Sequence, residues 1–171
     1  MNSAQQRYEA LVRAYTADLY RYAWWLCRSA SIAEDLVQDT FLRAWKSLPQ
    51  LQEAGAAKAW LLTILRHENA RRFERKQLDY TEVEQDSLVD TSSPSPEHAV
   101  ATDRLHRLLL NLPQDYREPL VMQLLLGMTG DEIATVLGLN LNTVNTRLFR
   151  GRAQLRAQLQ PDYPDGVSLH G

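Results

Sequence analysis

Sulfur chemistry is nearly absent from this chain. Cys27 is the only cysteine in 171 residues, so no internal disulfide can form and a thiolate-held metal cluster is excluded. Long apolar runs are missing as well, none approaching the ~20 residues that span a bilayer. The opening stretch MNSAQQRYEALVRAY lacks the basic-then-apolar layout of a signal peptide. No glycine-rich phosphate loop exists, since GLNLNT has neither the glycines nor the lysine. HEN at 67–69 has no second histidine four residues after the first, His98 and His106 stand isolated, and no serine sits in a nucleophile elbow. These absences point away from an enzyme, a metal or a cofactor. They lead us to expect a cytoplasmic protein with no direct membrane insertion.

What is present is helical periodicity. Glycine and proline, seven of each, mostly fall between periodic segments, and strand patterning is almost absent. Leu19, Tyr22, Ala23, Leu26 and Cys27 mark one face of a first long helix. Cys27 therefore reads as a small core hydrophobe. A break around Pro49 and Gly55 precedes AWLLTILRHENARRFERK. Its first half is apolar nearly all round, and its second half carries Arg66, Arg71, Arg72, Arg75 and Lys76. From Gln77 to Ser95 the period is lost. Ser95-Pro96-Glu97 then has the form of a helix start.

The formal net charge of −2 conceals a pattern. Residues 1–76 carry +4, residues 77–103 carry −7, residues 104–160 carry +3 and the tail carries −2. Two mildly basic blocks flank an acidic connector, which permits a nucleic-acid partner. The expected organisation is all-α: a helical domain over 1–76, a flexible acidic, Ser/Pro-containing linker over 77–95, a second helical domain over 96–160, and a tail over 161–171.

SIAEDLVQDTFLRAW, residues 31–45, has two sides. Ser31 and Glu34 have the spacing of a capping box. Ala33, Leu36, Val37, Thr40, Phe41, Ala44 and Trp45 recur as one core-facing stripe. The opposite side shows Asp35, Gln38, Asp39 and Leu42. That side is either a solvated surface with an incidental leucine or a docking surface for another protein.

The second block resembles four short helices, broken at 111–113, 127–130 and 138–142, with Pro119 either in the first turn of its helix or kinking it. MTGDEIATVLGLNLNTVNTRLFRGRAQLR carries a capping box at Thr129 and Glu132. Ile133, Ala134 and Leu137 form a buried face, Gly138 the turn, and Asn142 a possible cap. Small Ala134, turning Gly138 and β-branched Val144 are spaced as a helix-turn-helix needs. The second helix would then expose Thr143, Asn145, Thr146, Arg147 and Arg150, with Arg152 and Arg156 further along. Amides, hydroxyls and arginines near its start suit base edges, and the later arginines suit phosphates. No acid occurs between Glu132 and Asp162 to repel a duplex.

AEDLVQDTFLRAW, WLLTILRHENARR and LPQDYREPLVMQLLLGMTGDEIATVLGLNLNTVNTRLFRGRAQLR together closely resemble the extracytoplasmic-function class of bacterial sigma factors, from about Tyr8 to Leu159. The resemblance implies three surfaces. Asp35, Gln38, Asp39 and Leu42 would grip the clamp helices of the largest subunit of core RNA polymerase, whose flap is a further implied contact. Lys58, Trp60, Arg66, Asn69, Arg71, Arg72 and Arg75 would contact the minus-ten element of promoter DNA. Thr143, Asn145, Thr146, Arg147 and Arg150 would read the minus-thirty-five element. The linker would thread through the polymerase, and an anti-sigma factor is the implied inhibitory partner.

Three departures from the family pattern stand out. Asn145 replaces a frequent basic residue, His67 replaces a common asparagine, and LQEAGAAKAW lacks the charged and aromatic residues usual in the minus-ten loop. The rival readings are a stand-alone helix-turn-helix regulator binding DNA as a homodimer, and an adaptor that never touches DNA.

Overall fold

The computed structural model describes residues 3–79 and 104–159. These residues form helices and no strand, and they belong to two units. In the first unit α1 (Ser3–Cys27), α2 (Ala30–Ser47) and α3 (Ala57–Asp79) pack against one another, with two 3-10 turns at Leu48–Gln50 and Ala54–Ala56 joining α2 to α3. The core is drawn from all three helices: Leu19, Tyr22 and Ala23; Ala33, Leu36 and Phe41; Leu61, Leu62 and Leu65. Each fully buried leucine of this kind contributes ~2 kcal/mol of transfer free energy. Thr40 is also buried, its hydroxyl satisfied by the Leu36 carbonyl at 2.7 Å.

Reversal from α1 to α2 takes two residues. Arg28 occupies the left-handed region at φ 58°, and its N–H donates to the Trp24 carbonyl at 2.8 Å. Its guanidinium lies over both the Trp24 and Trp25 rings, 5.3 and 5.0 Å from their centroids. Cation–π attraction to two indoles offsets part of the cost of that backbone conformation. Because the helix restarts at once, its cap is Ser29, whose Oγ accepts from the Ile32 N–H at 3.4 Å. The capping box expected at Ser31 is therefore two residues too late; Ser31 lies inside α2 and is exposed.

Trp45 also departs from expectation. It lies at the edge of the stripe, 45% exposed, with its ring edge-on to Tyr8 at 5.1 Å. Tyr8 packs on a small cluster of Leu11, Leu48, Leu51 and Ala57, and its hydroxyl donates to the Phe41 carbonyl at 3.0 Å. Helix α3 runs on to Asp79, so Gln77 to Asp79 continue the helix instead of opening the linker. The remainder of the expected linker, the Ser95-Pro96 helix start and the tail lie outside the described residues.

The second unit begins, among described residues, with a helix α4 over 104–110. It continues with α5 (Gln114–Leu124), α6 (Gly130–Leu137) and α7 (Leu141–Leu159). Pro119 lies within α5, past its first turn, and its ring is buried. Leu109, Leu120, Val121, Met122, Ile133, Val144 and Leu148 are buried. Helices α5 and α7 cross closely at Gly151, where a Cβ would stand 2.8 Å from Leu120 Cδ1 and 3.2 Å from Tyr116 Cβ.

Two predictions follow from this packing. Gly151→Leu should collapse the second unit, seen as lost helicity in circular dichroism. Gly151→Ala should destabilise by ~1–2 kcal/mol in urea unfolding, because its methyl presses on buried Leu120 and on Tyr116 Cβ while helix propensity offsets part of the cost. Cys27 is half-buried, its Sγ 3.0 Å from the Ala23 carbonyl, and burial pushes its thiol pKa above the ordinary value. The thiol therefore stays protonated near neutrality. Iodoacetamide at about pH 7.5 should alkylate the folded chain at least ~10-fold more slowly than the urea-unfolded chain.

Candidate polymerase and promoter interfaces

The buried stripe of α2 decides which residues its other side exposes. With Ala33, Leu36, Val37, Thr40, Phe41 and Ala44 all facing the core, Asp35, Gln38, Asp39 and Leu42 are left exposed together. Leu42 is 62% exposed among these polar groups. Beside it, Arg43 turns toward α3, and its Nε donates to Glu68 Oε1 at 3.1 Å. The same oxygen lies 3.7 Å from Arg71 Nη1, and the Glu68 side chain is only 10% exposed. One shielded carboxylate thus ties the outer edge of α2 to the basic half of α3.

The residues expected to meet the minus-ten element are divided by the fold. Arg71 and Arg75 are exposed, while Arg66 and Arg72 are half-buried on the same helix. Asn69 is buried, and its Oδ1 has no hydrogen-bond partner among the described residues, so it is not on the exposed basic surface. Lys58 is drawn inward, its Nζ 3.5 Å from Asp18 Oδ2 on α1. Trp60 is half-buried against the Leu11 cluster. Sequence reasoning passed over Phe73, which is exposed within the arginine run. Phe73 is four residues after buried Asn69 and eight after buried Leu65, on the packing period, so spacing gave no sign of its exposure.

The helix-turn-helix is assembled by caps. Thr129 Oγ1 accepts from the Glu132 N–H at 3.2 Å, and Glu132 Oε1 accepts from the Thr129 N–H at 3.1 Å, as the capping-box spacing required. Gly138 takes φ 64° at the turn, where a Cβ would be strained, and the Leu139 N–H returns to the Ala134 carbonyl. Helix α7 is capped by Asn140, whose Oδ1 accepts from the Thr143 N–H at 2.9 Å. Asn142, expected as that cap, is an exposed residue inside the helix. Gly130 also matters: a Cβ there would meet Leu141 and Asn145 at 3.1 and 3.3 Å.

Below that cap, Val144 and Leu148 point inward and Asn145, Thr146 and Arg150 are exposed. Thr143 is half-buried at the margin. Phe149, absent from the expected set, is an exposed aromatic on the same side as Asn145. Arg147 lies at the flank, 28% exposed, with Nη1 3.7 Å from Asp115 Oδ1 on α5. Arg152 donates to Gln123 Oε1.

Residues 11–79 match the model of sigma-70 region 2, and residues 102–155 match that of sigma-70 region 4. ECF RNA polymerase sigma factor SigC of Mycobacterium tuberculosis is 32% identical over 164 residues, covering 90% of this chain and 84% of the relative. The chain belongs to the extracytoplasmic-function sigma factors. RNA polymerase sigma factor YlaC of Bacillus subtilis is similar at 29% identity, covering 88% of this chain and 91% of its own. Among solved structures, the sigma factor RpoE in complex with the anti-sigma factor NepR from Bartonella quintana aligns at TM-score 0.70 and 27% identity. That alignment covers 93% of this chain and 98% of the other. CnrH in complex with the cytosolic domain of CnrY aligns at 0.68 and 26%, covering 93% and 91%. As a sigma factor, the chain binds core RNA polymerase and directs promoter-specific initiation of transcription.

The shared carboxylate generates a prediction. Glu68→Ala removes the one acceptor joining Arg43 and Arg71. Because both arginines can still reach water, urea unfolding followed by circular dichroism should show a loss of only about 1 kcal/mol.

Proposed function

We propose that the outer face of α2 is the surface by which this sigma factor grips the clamp helices of the polymerase largest subunit. Asp35, Gln38, Asp39 and Leu42 form its contact set. The observation carrying this reading is Leu42, 62% exposed and flanked by acids on a helix whose opposite stripe is buried. A leucine kept in water serves no packing role in the free chain, and it becomes an apolar anchor with charged neighbours once a partner covers it. The second unit meets the flap and reads the minus-thirty-five element, with α7 in the major groove. There Thr143, Asn145, Thr146, Arg147 and Arg150 face the duplex, and Phe149 is suited to apolar contact with a thymine methyl group. The basic half of α3, with Arg66, Arg71, Arg72 and Arg75, follows the backbone at the minus-ten element. Exposed Phe73 offers a face on which an unstacked base can rest. Lys58 and Trp60, turned toward α1 and the Leu11 cluster, and buried Asn69 stand outside that contact set.

The protein acts as a DNA-binding initiation factor in the cytoplasm, without catalytic chemistry of its own. None of the described helices is long and apolar enough to cross a membrane. Control by an anti-sigma factor is part of the same reading, supported by the likeness to RpoE bound to NepR. An inhibitor of that kind gains most by covering the surfaces that polymerase and promoter need.

Replacing Asp35 and Gln38 together by alanine tests the docking assignment. Both are exposed, so stability should move by only ~0.5 kcal/mol. Affinity for purified core polymerase should fall at least ~10-fold, with promoter-dependent transcription falling in step. Unchanged affinity in a folded variant overturns the assignment. Tight, sequence-specific binding of promoter duplex by the free chain as a dimer would instead favour a stand-alone regulator.

A further inference from the structure

Arg147 was expected to reach base edges, yet in the fold it faces a carboxylate. Its guanidinium faces Asp115 across the α5–α7 packing, at 3.7 Å. Asp115 sits in the first turn of α5, where the helix macrodipole favours a carboxylate. At 74% exposure it projects from the protein on the side to which Arg147 leans, in a unit with a basic recognition helix. An acid placed there weakens the attraction of any phosphate that comes near. A single ion pair at the surface stabilises the fold little. Its effect on recognition is larger, because it decides what the arginine does next.

An unrestrained arginine pairs with whatever phosphate lies within reach, and this affinity is the same for every sequence. A guanidinium already facing a carboxylate at ion-pair distance gains less from a phosphate. Its planar fork of N–H donors remains open to a base that presents two acceptors in line. We propose that Asp115 is a specificity-determining residue: it holds Arg147 for base reading and withholds it from the DNA backbone. Asp115 is a positioning residue, acting through Arg147. The proposal rests on the placement of α7 in the major groove.

The test uses full-length chain assembled with core polymerase, and a promoter library varied across the minus-thirty-five element. Transcription and binding are measured at two or more salt concentrations for the parent, Asp115→Asn, Asp115→Glu and Arg147→Ala. Asp115→Asn should raise binding to poor sequences and compress the ratio between best and worst by about fivefold. It should also steepen the log–log salt dependence by about one, the slope expected of one added phosphate contact. Asp115→Glu, which keeps the charge, should restore most of the discrimination. A structural role alone would change every promoter by one factor and leave the salt slope as it was, and that result overturns the proposal. If Arg147→Ala compresses the ratio but Asp115→Asn does not, Arg147 reads bases without help and only this inference falls. If Arg147→Ala scales all promoters equally, the base-reading role of Arg147 falls, and the inference falls with it.

Discussion

Enclosure of one stripe of α2 between α1 and α3 is the constraint from which the first unit follows. Ala33, Leu36, Val37, Thr40, Phe41 and Ala44 leave that helix no rotational freedom. A turn of α2 by one residue would carry Asp35 or Gln38 into the core, uncompensated, at a cost of several kcal/mol. The exposed set is therefore as fixed as the buried one. The same logic holds in the second unit, where Val144 and Leu148 set the rotation of α7 and Gly151 sets its distance from α5.

Much of this was legible in the sequence because burial follows period. The stripe of α2, the apolar first half of α3 and the buried Val144 and Leu148 of α7 all came from spacing alone. Helix boundaries came less well, for a local reason. Ser29 and Ser31 are both capable caps, and the choice between them depends on Arg28 entering a conformation that non-glycine residues seldom adopt. Asn140 and Asn142 present the same ambiguity on the far side of Gly138. Thr129 and Glu132 posed no such choice, since their reciprocal bonds form at only one spacing.

Side-chain pairing was the part that spacing could not supply. Lys58 and Arg147 look alike in a sequence, as free cations suited to DNA. In the fold each faces a carboxylate from another helix, Asp18 and Asp115. Asn69 has the composition of a base-reading residue and the burial of a core one. The aromatic residues erred in the opposite direction, with Phe73 and Phe149 standing exposed where a hydrophobe is ordinarily assigned to packing. A period of 3.6 residues tells which side of a helix a residue occupies. What crosses from the neighbouring helix is a property of the tertiary structure.

The two-residue reversal at Arg28 and Ser29 bears on the order of events during synthesis. Contacts between α1 and α2 are close in sequence, and α3 follows after two short turns, so the first core closes through short loops. Domains emerging from the ribosome fold as units, with the N-terminal one first. The surface displayed by α2 is thus complete while the residues of α7 are still being translated. Once synthesis has passed α7, the first unit is clear of the ribosome and its α2 surface has formed before the second unit can close.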